Sequence, residues 1–189
     1  RGEELLISCE LVYVFADPAT QTSKPVPAVL REMLTGYEAG EAMVQVKTGS
    51  WSELGADARR IRTAVFVHEQ KIPADLEWDE ADATSLHAVA YNRMGQPLAT
   101  GRLLPAQDGT AKIGRMAVHQ VLRGMGYGEQ VLRTLCNEAQ RRGDRAIELH
   151  AQRTAREFYT RLGFQPQGEP YEEAGIPHIT MRRRLPLAG

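Results

Sequence analysis

The 189-residue sequence is poor in cysteine, aromatic residues and net charge. Its two cysteines, Cys9 and Cys136, lie far apart and fit neither a disulfide framework nor a metal site, and the histidines show no short metal-ligand spacing. The formal net charge of −1 excludes the strong basic field typical of nucleic-acid-binding proteins. No apolar run approaches the length of a membrane span, and no signal peptide is recognisable. The sequence therefore predicts a soluble, cytoplasmic protein without a metal, whose partners are neither nucleic acids nor membranes.

The hydrophobic residues, 42% of the sequence, are enough to form a substantial core and are arranged in two regions. Residues 1–41 are predicted to be an N-terminal extension with a strand over 4–16 and a short helix over 28–37. Residues 42–189 contain short apolar segments that alternate with amphipathic helical segments. This arrangement predicts one α/β domain over 42–189.

A glycine-rich segment, Arg123-Gly124-Met125-Gly126-Tyr127-Gly128, lies between a predicted strand and a predicted helix. The strand is apolar over 113–118, and the helix has apolar residues at helical spacing from Val131 to Ala139. A helix that begins directly after a glycine-rich turn presents unpaired backbone N–H groups to an anion. The segment therefore predicts a binding site for a pyrophosphate.

Three kinds of phosphate-binding loop and a plain turn are the interpretations to compare with this segment. A Walker A loop ends in Gly-Lys-Ser/Thr, whereas Gly128 is followed by Glu129. A dinucleotide fingerprint is consistent with Glu148 at the end of the next strand, but it lacks its third glycine. The pattern Arg-x-x-Gly-x-Gly is matched in full by residues 123–128, and a plain glycine-rich turn is the remaining alternative.

Several further motifs, in order, resemble the GNAT superfamily of N-acetyltransferases, which uses Arg-x-x-Gly-x-Gly for the pyrophosphate of acetyl-CoA. The resemblance covers about residues 44–185 and is closest to the ElaA-like branch of bacterial proteins. It implies an α/β (α+β) fold with a mixed, mostly antiparallel sheet, a central parallel strand pair splayed at the acyl-CoA site, and helices on both faces. The motifs are Val65-Phe66-Val67-His68-Glu69-Gln70, Leu76-Glu77-Trp78-Asp79-Glu80, Gly114-Arg115-Met116-Ala117-Val118, His150-Ala151-Gln152, Glu157-Phe158-Tyr159-Thr160-Arg161-Leu162-Gly163-Phe164 and Gly175-Ile176-Pro177-His178.

The resemblance implies an enzyme in which a primary amine, on a small molecule or a peptide, attacks acetyl-CoA directly within a ternary complex. Acetyl-CoA is then the co-substrate, and a backbone donor near the end of the strand before the loop stabilises the thioester oxygen. A non-catalytic acyl-CoA-binding module that regulates a fused thioesterase is the alternative function. The implied CoA contacts are Met116, Ala117, Val118, Arg123, Gly124, Met125, Gly126, Tyr127, Gly128 and Glu129.

The resemblance also implies roles for side chains around the acceptor. Tyr159 aligns with a frequent general acid, although its place on an apolar helix face also fits a core aromatic. The general base is open among His87, His150, His178 and Glu77, and a chain of water molecules is the alternative to each of them. The acidic loop from Asp75 to Asp82 is either a solvated loop or a rim that attracts a cationic amine. Asp79, Gln152 and His178 are predicted to bind the substrate.

The N-terminal residues have a second, shorter resemblance. The run from Leu11 to Asp17, the segment Lys24-Pro25-Val26-Pro27 and the following helix resemble the C-terminal end of a hot-dog acyl-CoA thioesterase. The resemblance implies the tail of a fused protein, in which the 4–16 strand would be an edge that must pair, for example in a homodimer or with another protein. An ordinary extension is the equal alternative.

Overall fold

The computed structural model describes residues 8–10 and 12–186 and divides the chain into two compact units, Arg1–Met43 and Val44–Gly189. This division lies close to the boundary predicted at residues 41 and 42. The assignment of the first unit to a thioesterase tail stays a prediction. Nowhere in the described residues is a helix both long and apolar enough to cross a membrane.

Among its described residues, the first unit contains one helix, α1 (Ala28–Glu38), close to the helix predicted over 28–37. The strand predicted over 4–16 is not formed by residues 8–10 or 12–15, and Val12 and Tyr13 are 82% and 85% exposed. Only an isolated bridge joins Ala16 to Ser23. A strand requires a hydrogen-bonded neighbour, and apolar alternation alone does not supply one. The other residues of this predicted strand, 4–7 and 11, lie outside the described residues.

The second unit is built on one seven-stranded sheet with the strand order β1-β2-β3-β4-β5-β7-β6. All neighbouring strands are antiparallel except the central pair β4 and β5. The predicted mixed, mostly antiparallel sheet is therefore confirmed. The strands are β1 (Val44–Gly49), β2 (Leu86–Asn92), β3 (Pro97–Leu103), β4 (Thr110–Val118), β5 (Ala146–Gln152), β6 (Gln165–Glu173) and β7 (Ile176–Arg184), and the helices are α2 (Trp51–Arg62), α3 (Ala74–Glu77), α4 (Ala81–Thr84), α5 (Tyr127–Arg141) and α6 (Arg156–Arg161).

Helices cover both faces of the sheet, as expected from the alternation of side chains along its strands. On β2, Ala88 and Ala90 pack with the apolar face of α5, whereas Val89 and Tyr91 pack with α2. The predicted apolar face of α5 is buried in full. Helix α2 continues into a π-helical segment, Thr63–Glu69, which ends before Ile72 and Pro73 as predicted.

The central parallel pair separates partway along its length. β4 and β5 are paired from Thr110 to Ile113 and from Ala146 to Leu149, and both strands continue beyond that point. On the other side of β4, a bulge shifts the pairing with β3, and Arg115 adopts φ of 53° within it. The separation and the bulge together open a gap in the sheet above Ile113.

Candidate functional site

A cleft of about 650 Å³ opens where β4 and β5 separate. Its walls come from β4, from β5, from the strands β6 and β7, and from the segment that follows α2. Concave sites of this size with a few convergent polar groups are the usual places for ligands. Six predicted site residues line it: Glu77, Met116, His150, Gln152, Tyr159 and His178.

The glycine loop connects β4 to α5 and adopts a backbone that favours glycine. Gly124 and Gly126 have φ of 84° and 82°, and Gly126 immediately precedes the first residue of α5, Tyr127. The backbone N–H groups in the first turn of α5 have no partners within the helix, so they can bind an anion. Of the predicted CoA contacts, only Met116 lines the cleft, and residues 123–129 lie outside its lining.

Arg123 is held by neighbouring groups rather than extended into solvent. Its Nη1 and Nη2 atoms donate to the two carboxylate oxygens of Glu69 at 2.7 and 2.6 Å, and its Nε donates to the carbonyl oxygen of Val118 at 3.3 Å. The pair is partly exposed, with 44% of the Arg123 side chain accessible to solvent. A pyrophosphate that recruits this guanidinium must therefore share it with Glu69.

The predicted acidic loop is folded against three arginines. Arg62, which is 1% exposed, donates to the carboxylates of Glu77 and Asp82. Arg102 donates to Asp82 at 2.8 Å and through two nitrogens to Asp79. Arg115 donates to Asp79 at 3.0 Å. The carboxylates of Glu77, Asp79 and Asp82 are thus paired with three guanidinium groups.

The pKa values of these carboxyl groups reflect this pairing. Burial raises the pKa of Glu77, even though Arg62 opposes the shift. Burial also raises the pKa of Asp82, but the hydrogen bonds and charges of Arg62 and Arg102 outweigh it and the net shift is downward. The hydrogen bond from Arg102 lowers the pKa of Asp79.

This arrangement bears on three of the predicted roles. The segment forms the short helices α3 and α4, and its two buried carboxylates, Glu77 and Asp82, are neutralised by arginine, so these two do not contribute to a rim that attracts a cationic amine. Glu77 accepts a hydrogen bond from Arg62 and is 2% exposed, which leaves it poorly suited to accept a proton from an amine. The same pairing leaves Asp79 little capacity to bind a substrate.

The predicted histidines fall in different environments. His87 is 1% exposed, packs 4.8 Å from the ring of Trp51 and donates from Nε2 to the carbonyl oxygen of Asp82. Burial lowers the pKa of His87. His87 is also not among the residues that line the cleft, so its position argues against a role as the general base. His150 lies in the cleft, with ring nitrogens 4.0 Å from Glu148 and 3.6 Å from Glu173.

His178 lies at the cleft on β7, opposite Gln152 on β5. Its Nδ1 is 2.7 Å from the carbonyl oxygen of Ile176, and its ring stacks on Tyr171 at a centroid distance of 6.1 Å. Gln152 donates from Nε2 to the side-chain oxygen of Gln70 at 2.9 Å. The structure therefore brings these two predicted substrate-binding residues together.

Tyr159 belongs to the core and also lines the cleft. Its ring packs edge-on against Phe158 and Phe164 in the core, and the residue also lines the cleft. Burial raises its pKa, so the phenol is protonated throughout the physiological range. Cys136 is buried on α5, and burial raises the pKa of its thiol to about 11, in keeping with the packing role expected of it.

Sequence reasoning assigned no role to Arg62, Arg102 or Glu69. Arg62 follows Leu54 and Ala58 at the spacing of the buried face of α2. Because a buried charge is costly unless it is paired, an arginine at this position indicates an internal ion pair. Arg102 lies inside the buried strand β3, which gives the same signal. The pairing of Glu69 with Arg123, 54 positions away, leaves no local pattern in the sequence.

The sequence and the fold have counterparts in known proteins. The sequence profile described as "Acetyltransferase (GNAT) domain" matches residues 50–185. Protein ElaA of Escherichia coli is 35% identical over 130 residues, which are 67% of this chain and 84% of that protein. A UPF0039 protein of Schizosaccharomyces pombe is 35% identical over 131 residues, 68% of this chain and 87% of that protein. Relatives therefore occur outside bacteria.

Solved structures agree with these sequence matches. The crystal structure of E. coli ElaA superposes with a TM-score of 0.67 at 32% identity, covering 75% of this chain and 99% of that one. An acyl-CoA N-acyltransferase from Pseudomonas aeruginosa superposes with a TM-score of 0.66 at 34% identity, covering 74% and 99%. These similarities confirm the predicted fold and the ElaA-like resemblance, and this chain belongs to the GNAT acetyltransferase domain family.

Proposed function

We propose that this protein is an acyl-CoA-dependent N-acyltransferase that transfers acetyl from acetyl-CoA to a primary amine by direct attack. The observation that carries the proposal is the separation of β4 and β5 beyond Ile113 and Leu149. One strand of this pair leads through a short 3₁₀ turn into a glycine loop and a helix N-terminus, and the gap between the strands opens into the cleft. A pyrophosphate at the loop and a thioester in the gap fit this arrangement.

The backbone around the β4 bulge is suited to stabilise the thioester oxygen. The bulge interrupts the pairing with β3 at Arg115 and Met116, and the pairing with β5 has already ended at Ile113. Backbone N–H groups released from a ladder at this point can donate to an oxygen that gains negative charge in the transition state. Met116 lines the cleft next to Arg115, which supports this role.

Tyr159 is the group proposed to assist the leaving thiolate. A thiol has a pKa of about 8.5, and the buried phenol has a pKa raised above its ordinary value. Full transfer of the phenol proton to the thiolate is therefore uphill, and Tyr159 acts mainly by donating a hydrogen bond as the C–S bond breaks. The amine nitrogen forms a bond to the carbonyl carbon, and the C–S bond breaks. The electron pair of the C–S bond leaves on sulfur.

The experiment that tests the proposal combines binding and turnover. Titration with acetyl-CoA and longer acyl-CoAs should show saturable binding, and a panel of primary amines should release free CoA thiol with at least one acceptor. Binding without thiol release from any amine would favour the alternative, a non-catalytic acyl-CoA-binding module. Absence of acyl-CoA binding would refute both functions.

A further inference from the structure

We infer that His178 is the general base that takes the proton from the acceptor amine, with its ring fixed by the carbonyl oxygen of Ile176. This inference rests on the proposed N-acyltransferase function and names a role that the sequence left open. The evidence is the tautomer imposed on His178, its place in the cleft, and the unsuitable contacts of the other base candidates.

The hydrogen bond of His178 determines which ring nitrogen carries the proton. The carbonyl oxygen of Ile176 can only accept, so Nδ1, at 2.7 Å, must be the donor. In the neutral imidazole, the lone pair is therefore on Nε2. A base needs a lone pair on a ring nitrogen and a ring that is held in place; this contact leaves the lone pair on Nε2 and restrains the ring.

The fold also limits how the ring can move. Ala174 and Gly175, with φ of 49° and 75°, form the tight turn between β6 and β7 shortly before His178. Tyr171, directly opposite on β6, stacks on the imidazole with an interplanar angle of 23°. The hydrogen bond and the stacked ring hold His178 at the wall of the cleft.

The other three candidates lack this combination. His150 is 3.6 and 4.0 Å from two carboxylates, and contacts of that length do not fix a tautomer. His87 is buried beside Trp51 and is absent from the cleft lining, and Glu77 is engaged by Arg62. Of the two histidines in the described cleft lining, His178 is thus the one whose hydrogen bond determines which ring nitrogen carries the proton.

Several charged or titratable groups share the cleft with His178 and belong in any account of pH dependence. They come from β3, β4, β5, β6, α3 and α6. Their presence means that a pH profile must be assigned by substitution and not by its midpoint. The groups that line the cleft are Glu77, Arg102, Lys112, Arg115, Glu148, His150, Tyr159 and Glu173, and Tyr171 contacts the ring of His178.

The proton balance of the reaction follows from this assignment. The acceptor ammonium loses one proton to Nε2 of His178, and the neutral amine then attacks the carbonyl carbon of the thioester. The C–S bond breaks, the thiolate is stabilised by Tyr159 and takes up one proton, and the new amide nitrogen loses its second proton. One proton is released to solvent for each amide and free thiol that form.

The test is the pH dependence of kcat/KM for the best amine, measured for wild type, His178→Asn and His150→Asn. Histidine exchanges protons between about pH 5 and 8, so a base of this type produces a decline in rate on the acid side. The asparagine amide can still donate to the Ile176 carbonyl but lacks an atom equivalent to Nε2. We expect His178→Asn to lower kcat/KM by about 10²–10⁴-fold and to lose the acid-side decline.

Two controls make the result specific. His150→Asn, a matched histidine in the same cleft, should keep the acid-side decline, and both variants should keep the wild-type acetyl-CoA Kd and unfolding midpoint. If His178→Asn folds and retains the acid-side decline, the assignment is wrong. If only His150→Asn loses it, His150 is the base.

A second measurement distinguishes failure of this inference from failure of the proposed function. The tautomer of His178 in the wild-type protein can be read from imidazole ¹⁵N chemical shifts by NMR, without any turnover. A proton on Nδ1 at neutral pH supports the assignment, and a proton on Nε2 overturns it while leaving the N-acyltransferase function intact. Lack of turnover with every amine would instead refute the proposed function and the base with it.

Discussion

Replacement of Arg123 by alanine should weaken the binding of every CoA species by a similar factor. A hydrogen bond to a charged group contributes about 1.5–3 kcal/mol, and each 1.4 kcal/mol corresponds to about a tenfold change in Kd. The expected loss is therefore about 10- to 150-fold. The factor should be the same for CoA, acetyl-CoA and longer acyl-CoAs, because Arg123 is part of the glycine loop and is not among the residues that line the cleft.

The contact between Arg123 and Glu69 predicts that a substitution of Glu69 has the opposite effect on CoA affinity. A partly exposed ion pair contributes about 0.2–1 kcal/mol, and CoA binding must break or share this one. Glu69→Gln removes the competitor and a negative charge beside the loop, so it should tighten CoA binding by up to about fivefold. Substitutions of opposite effect at the two ends of one ion pair would be difficult to explain by a general loss of structure.

Isothermal titration calorimetry at constant salt measures both effects. Arg141→Ala is the matched control because Arg141 is an exposed arginine on the last turn of α5, paired with Glu138, and its loss changes the net charge equally. Unchanged affinity in Arg123→Ala, or an equal loss in Arg141→Ala, would refute the placement of the pyrophosphate at this loop.

Three further predictions concern the loop, the acid and the buried ion pairs. Gly126→Ala places a Cβ at φ of 82° and should lower the free energy of unfolding by about 1–2 kcal/mol. Gly95→Ala, with φ of 73° in another turn, should lower it by the same amount, but only Gly126→Ala should weaken acetyl-CoA binding. Equal CoA affinity in both variants would contradict this prediction. Tyr159→Phe should lower kcat by about 10²–10⁴-fold without changing the acetyl-CoA Kd, and full turnover in stopped assays of thiol release would exclude Tyr159 as the acid. Asp82→Asn should lower the free energy of unfolding at pH 7 by about 3–5 kcal/mol. Because the folded-state pKa of Asp82 is lowered, its contribution to the free energy of unfolding is present above the unfolded pKa of about 3.9 and is lost as the pH falls. The urea unfolding curves of the variant and the wild type should therefore converge in acid. A stability difference that does not change with pH would contradict the assigned pairing.

Most of the second unit was predictable because its signals are local. The alternation that buries Ala88 and Val89 on opposite faces of β2, and the apolar face of α5, need only neighbouring residues to be recognised. The strand predicted over 4–16 shows the limit of such signals. Its alternation is present, but the described part of it has no strand partner, because pairing depends on a neighbour that the local sequence does not specify.

The sequence by itself determined the glycine loop, since residues 123–128 place glycine where the backbone must be left-handed and where a helix begins. It also determined the order of strands and helices that identifies the family. Only the tertiary structure decided which charges neutralise one another: Glu77 and Asp82 with Arg62, and Glu69 with Arg123. The reason is physical: an ion pair forms wherever the fold brings two side chains together, and their separation along the chain does not affect its strength.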